Sequence, residues 1–191
     1  SLVYIRGELQ LALTRGDGIH GKDVTDKMQH KAPIWIHGKP AQEVVQITGE
    51  LVAPKTIPNA RNYAAGALNL KSTDEFLERN VNFVAYDMQP SHLLRWTGTM
   101  EYLLMHGFAT VQHIYDDVYP TDGLVYRMNE NKEFDKQGYT AHHPRGAFAL
   151  KEKKEGVITT LIDVKWQVGK SGVVSPVGIL EPVTIGDAIV Q

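Results

Sequence analysis

Near the start of the chain Leu9, Leu11 and Leu13 alternate with Glu8, Gln10 and Ala12. That period of two belongs to a strand with one buried face, and it predicts a hairpin over "SLVYIRGELQLALTR" with its turn at Gly7. "KDVTDKMQHKA" predicts a short polar helix. "PIWIHG" and "AQEVVQITGELVA" read as strands around a Gly38-Lys39-Pro40 turn. "NARNYAAGALNLKS" predicts a short helix, and "TDEFLERN" a second one capped by its Thr or Asp. "VNFVAYDM" is strand-like. Leu93, Trp96, Met100 and Leu103 recur at helical spacing between Ser91 and His106, with Gly107 as terminator. This stripe reads as helix core rather than a cofactor box. "FATVQHIYD", "DGLVYRMN", "AFALK", "VITTLIDVKWQVG" and "VVSPVGILEPVTI" return to strand character. Architecture is expected to change near Gly156, after which almost everything is β, in too few residues to close a barrel.

Composition narrows the class. Hydrophobic residues make up 42% of the 191 and charged residues 22%, the balance of a globular protein with a core. No apolar run approaches the length of a membrane span, no secretory signal is visible, and there is no cysteine for disulfides or thiolate-bound zinc. A soluble, cytoplasmic protein with no membrane partner is expected. The net charge of -2 speaks against a uniformly basic nucleic-acid binder but leaves room for a basic groove.

"GDGIHG" (16–21) spells Gly-x-Gly-x-x-Gly. A dinucleotide turn of that kind needs a buried parallel strand before it and a substantial helix after it. The strand here alternates and the following segment is short and polar, so the loop reads as a glycine-punctuated turn. Arg15-Gly16-Asp17 is a three-letter adhesion match with almost no information. His142 and His143 point to opposite faces if extended and make a poor metal pair; they read as loop residues, with a phosphate contact open to His142.

A wider window is more informative. "TRGDGIHGKDVT" resembles the stretch after the nucleotidyl-lysine motif of NAD-dependent DNA ligases. Further resemblances follow in order: "TGELVAP", "NARNYAAGALN", "FVAYD", "TDGLVYRMN", "GYTAHHPRGAFALK" and "WQVGKSGVVSPVGILEPV". The resemblance implies an α+β nucleotidyltransferase (DNA ligase adenylation) fold of antiparallel sheets with helices over residues 1–155. The first strands of an OB-fold would follow over 156–191. It implies a replication and repair ligase that takes AMP from NAD with Mg2+ and seals nicked duplex DNA in three nucleotidyl transfers. Each step builds negative charge at phosphorus, so cations and alignment matter.

Carried over residue by residue, the resemblance implies these roles. Glu50 accepts from ribose hydroxyls or helps hold Mg2+; alone it reads as a surface charge. Tyr86 stacks on adenine; alone it reads as core. Asp122 contacts nucleotide or metal, or is simply a turn residue. Val125 lines the adenine pocket or the core. Lys151 and Arg127 are catalytic cations on the AMP phosphate, and Arg15 forks onto phosphate or ribose. Arg61 and Lys170 contact DNA phosphates. Lys153 and Lys154 read as a solvated cluster.

The departures are as specific. The family's Lys-x-Asp-Gly is not in the chain, and without that amine no lysyl-AMP forms; Lys22 does not stand in such a motif. Arg127 stands where the family has lysine, Asn69 and Lys170 where it has arginine, and Gly146 where it has tryptophan. The segment between Glu50 and Asn59 is short, as if a helix were deleted. The expectation is a ligase portion inactive alone and complemented by a segment that carries Lys-x-Asp-Gly. A fragment, a gene-split subunit and a split-intein product remain open. The rival class is a non-catalytic nucleotide- or DNA-binding module descended from a ligase.

Overall fold

The computed structural model describes residues 1–18, 20–36, 43–114, 118–140, 143–151, 156–185 and 188–191. The turn expected at 38–40, His142, Lys153 and Lys154 lie outside them. The chain divides into two compact units, Ser1–Lys151 and Glu152–Gln191.

In the first unit β1 (Leu2–Ile5) and β2 (Glu8–Ala12) form the expected hairpin. Arg6 and Gly7 at its tip have φ of 53° and 90°, as a two-residue turn that follows the strand twist requires. The ladder slips between Val3 and Tyr4, which leaves Gln10 as the extra residue. Leu9 and Ala12 therefore face the core, opposite Tyr4 and Leu2, while Leu11 and Leu13 do not. A bulge breaks the period of two, so the strict leucine alternation does not hold.

Next come α1 (Thr25–Met28), β3 (Val44–Val52), α2 (Ala60–Asn69), α3 (Thr73–Leu77), β4 (Asn82–Gln89), α4 (Trp96–Met105), β5 (Ala109–Thr110), β6 (Gly123–Arg127), α5 (Asn131–Gln137) and β7 (Ala147–Lys151). The main sheet has the order β2-β1-β3-β4-β5. It is antiparallel except for β4 and β5. That one short parallel pair stands beside the antiparallel pairing that was expected. The helix α4 carries the chain back across the sheet, and a strand entered after such a crossover runs parallel to its predecessor.

Several local expectations change for physical reasons. The segment around α1 is not polar throughout: Val24 and Met28 are buried, and so is Lys27, whose Nζ donates to the carbonyls of Leu68 and Leu70 at 3.2 and 2.7 Å. It thereby serves the open C-terminal end of α2. The cap of α3 is Ser72, whose hydroxyl accepts from the Glu75 amide, not the Thr or Asp that follows. The helix α4 begins at Trp96, so Leu93 precedes it. "PIWIHG" makes no named strand among its described residues: Trp35 forms one isolated bridge to Glu8. Among its described residues "FATVQHIYD" supplies only β5, because His113 turns back onto Thr110. Residues 53–59 pass from β3 to α2 without a helix.

The core lies on one face of the sheet. Tyr4, Ile47, Phe83, Ala85 and Met88 meet Met28, Met100 and Leu103 from α1 and α4. A second cluster joins Ala60, Ala64 and Ala67 of α2 to Phe76 and Val81. The strands β6 and β7 form their own antiparallel ladder.

The second unit contains β8 (Leu161–Val168) and β9 (Val174–Leu180), paired antiparallel, and β10 (Val183–Ile185) with β11 (Ala188–Val190). Among the residues whose burial is described there, none is buried. Two-stranded ladders of this kind are marginal by themselves. Among the described residues no helix is long and apolar enough to cross a membrane.

Candidate functional site

The site begins at a second bulge. Between β3 and β4, Thr48 pairs with Asp87 but Gly49 pairs with Ala85, so Tyr86 is the unpaired residue. Its carbonyl, released from the ladder, accepts from the Trp96 indole at 2.9 Å. The Tyr86 side chain is 43% exposed. Partial burial pushes its phenol pKa up, Glu50 and Asp87 add to that, and Arg15 opposes it. Arg15, Glu50 and Tyr86 thus share one electrostatic neighbourhood, although they come from three segments.

The β6–β7 ladder supplies a second surface. Gly123 pairs with Lys151, Val125 with Ala149 and Arg127 with Ala147. Alternation puts these six residues on one face, with small or short side chains in the middle and a cation at each end. Val125 is 72% exposed there. At one end the Lys151 ammonium lies 3.7 Å from one oxygen of Asp122. The Arg61 guanidinium lies 3.3 Å from the other. At the other end Arg127 reaches Asp87, beside Tyr86, at 3.2 Å. The strand β6 therefore joins the Arg61–Asp122–Lys151 cluster to the Arg15–Glu50–Tyr86 neighbourhood. Arg61, read from the sequence as a DNA contact, shares a carboxylate with Lys151.

Arg61 beside Asp122 holds that carboxyl below the ordinary carboxylate range, with Lys151 adding to the effect and slight desolvation opposing it. A carboxyl depressed in the folded state contributes its pairing above its unfolded pKa and loses it as pH falls through the folded one. The pair is solvent-exposed, so exchanging Asp122 for an anionic ligand costs the two cations little. Arg61→Gln is expected to raise the Asp122 midpoint toward the ordinary value, and Lys151→Met to raise it less. A carboxyl-carbon NMR titration reads both. A midpoint unmoved by Arg61→Gln would show that the pair does not persist in solution.

Other residues stand apart. Lys170 is exposed in the second unit, in the turn between β8 and β9. Asn69 turns its amide back to the Ala65 carbonyl of its own helix at 3.4 Å. The glycine loop follows the antiparallel β2 and precedes the four-residue α1, neither of which suits a dinucleotide turn. Among the described residues no three His, Asp or Glu side chains gather to hold a metal. One carboxylate such as Glu50 fits the mode in which Mg2+ is bound through one or two carboxylates, waters and substrate phosphates. Sequence reasoning passed over Asp87, which Arg127 reaches, and Trp96, which bonds the Tyr86 carbonyl. The Asp in "FVAYD" was the one visible signal.

A family model described as the NAD-dependent DNA ligase adenylation domain matches residues 1–117. Proteins named DNA ligase align along the whole chain. That of Psychrobacter cryohalolentis is 30% identical over 231 residues, and 33% of its length is covered. That of Bacteroides fragilis is 31% identical with 35% covered, and that of Aquifex aeolicus 29% with 33% covered. The chain spans about a third of the length of these curated relatives. By the family match over residues 1–117, which contain Arg15, Glu50, Arg61 and Tyr86, the chain belongs to the NAD-dependent DNA ligase family.

Proposed function

We propose that this chain holds the adenylate during NAD-dependent sealing of nicks in duplex DNA. Residues 1–155 act as the adenylation domain and 156–191 as the opening of an OB-fold. Tyr86 and Val125 hold the adenine, whose π-face tolerates stacking on an aromatic ring. Glu50 accepts from the ribose hydroxyls. Lys151 and Arg61 neutralise the charge that builds at phosphorus, with Asp122 keeping both cations in place until the phosphate arrives. Arg15 approaches the same nucleotide from the β2 end. Mg2+, when bound, supplies further charge stabilisation at the transferring phosphate, and Glu50 is the residue that would help hold it.

The nucleophilic lysine is that of a Lys-x-Asp-Gly segment, which residues 1–191 do not contain. Its amine attacks the adenylyl phosphorus of NAD and nicotinamide mononucleotide leaves. The AMP then passes to the 5′-phosphate at the nick and is displaced by the 3′-hydroxyl. Lys170 is the contact to DNA phosphates.

The observation that supports this reading is the convergence of Arg61 and Lys151 on Asp122 at one end of β6, with Tyr86 beside the Asp87 partner of its other end. The test mixes the chain with a Lys-x-Asp-Gly segment of a related ligase, NAD, magnesium and nicked duplex. Adenylylated protein, detected by mass, and sealed strands are expected. Failure to form either with any complete partner would remove the proposal.

A further inference from the structure

Arg127 is the departure with the most structure around it. Its side chain is only 13% exposed, and Nη1 donates to Asp87 Oδ1 at 3.2 Å. Its Cζ lies 4.0 Å from the centre of the Phe134 ring and 5.4 Å from that of Trp96. The other Asp87 oxygen accepts from Gln89 at 3.3 Å. The guanidinium is therefore neutralised, bracketed by two rings and largely withdrawn from solvent, an arrangement that favours a planar fork over a point charge.

The surroundings explain a second departure. A Cβ on Gly146 would come within 2.6 Å of the Phe134 ring. Any side chain at 146 would displace the ring that covers Arg127. Lysine and tryptophan, the residues expected at 127 and 146, are both absent, and one ring accounts for both changes. The same assembly touches Tyr86 twice: Trp96 bonds its carbonyl, and Arg127 holds the carboxylate of its neighbour Asp87. Asn129, two residues after Arg127, accepts from the Thr97 amide through its side-chain oxygen and from the Trp96 amide through its backbone carbonyl, tying β6 to the start of α4.

We propose that Arg127 is a positioning residue that locks the Tyr86 bulge to β6, with Phe134 and Gly146 as its co-adapted housing. Lys151 and Arg61 are then the cations left for the phosphate. The proposal rests on the reading of Tyr86 as the base-stacking residue. It makes Arg127 act on the base end of the nucleotide through Asp87, without touching the phosphate itself.

Two measurements on the full chain test it. The first needs no nucleotide. The Arg127 Nη–H signals are expected to be protected from exchange and shifted by the rings, and to lose that protection in Asp87→Ala, which removes the acceptor of Nη1. A solvent-averaged signal in the wild type overturns the clamp. The second compares adenosine with AMP by calorimetry in Arg127→Lys, which keeps the charge. Both ligands are expected to weaken equally, by about tenfold, with no gain for AMP. Unchanged affinity for both, or a change confined to AMP, overturns the proposal. If the wild type binds neither ligand, the nucleotide reading fails, and the first measurement still decides whether Arg127 is clamped.

Discussion

Replacing Lys151 with methionine is expected to slow the displacement of AMP at an adenylylated nick by roughly 10²–10³-fold, the usual effect of removing one preorganised charge from a transition state. Lys151 ends β7 opposite Gly123, and its side chain is 67% exposed. It has no part in either buried cluster, so stability should move by no more than about 0.5 kcal/mol. The appropriate measurement is single-turnover sealing of pre-adenylylated nicked duplex by the chain with its complementary segment. That substrate isolates the last step and bypasses NAD. A rate within threefold of wild type would remove Lys151 from the phosphate. A loss confined to KM would mean that it binds the ground state without favouring the transition state.

Gly49→Ala is expected to destabilise the first unit by about 3 kcal/mol, because overpacking cannot relax there. A Cβ at 49 would lie 2.4 Å from the Phe83 ring and 2.5 Å from the Val84 carbonyl. The ring is buried in the main core and the carbonyl belongs to the neighbouring strand. Relief would require shifting β4 at the bulge that presents Tyr86, so nucleotide binding should fall with stability. The control is Gly66→Ala. A Cβ there, on the exposed face of α2, meets nothing within 4 Å. That substitution should stabilise by about 0.5–1 kcal/mol, since alanine loses less conformational freedom in a helix. Denaturant midpoints for the two variants should move in opposite directions. Equal midpoints would show that the β3–β4 ladder is looser than described.

The residues of the candidate site were named one by one from the sequence, and their arrangement was not. "TGELVAP", "FVAYD" and "TDGLVYRMN" singled out Glu50, Tyr86 and Asp122 from local motifs. The strands and helices that carry them follow periods of two and 3.6 that any short window contains. Misreadings occurred where a bulge interrupts the period, as at Gln10, or where a turn cuts a β-rich run, as at His113. Both depend on what the neighbouring chain does, which a window does not hold. The pairing of Arg127 with Asp87 joins residues 40 apart, and Lys27 reaches the end of α2 across 41 and 43 residues. No local pattern encodes such reach.

What the amino-acid sequence determined by itself is the β1–β2 hairpin, most of the longer strands and helices, the family and the chemical types on offer to a nucleotide: a ring, carboxylates and several cations. Those are properties of single residues and short periods. Which cation stays open to solvent was decided only in three dimensions. Arg127 and Lys151 lie on the same face of one ladder and carry the same charge. Asp87 and two aromatic rings enclose the first, whereas solvent and one shared carboxylate surround the second. Charge is written in the sequence, but its availability depends on what the fold packs around it.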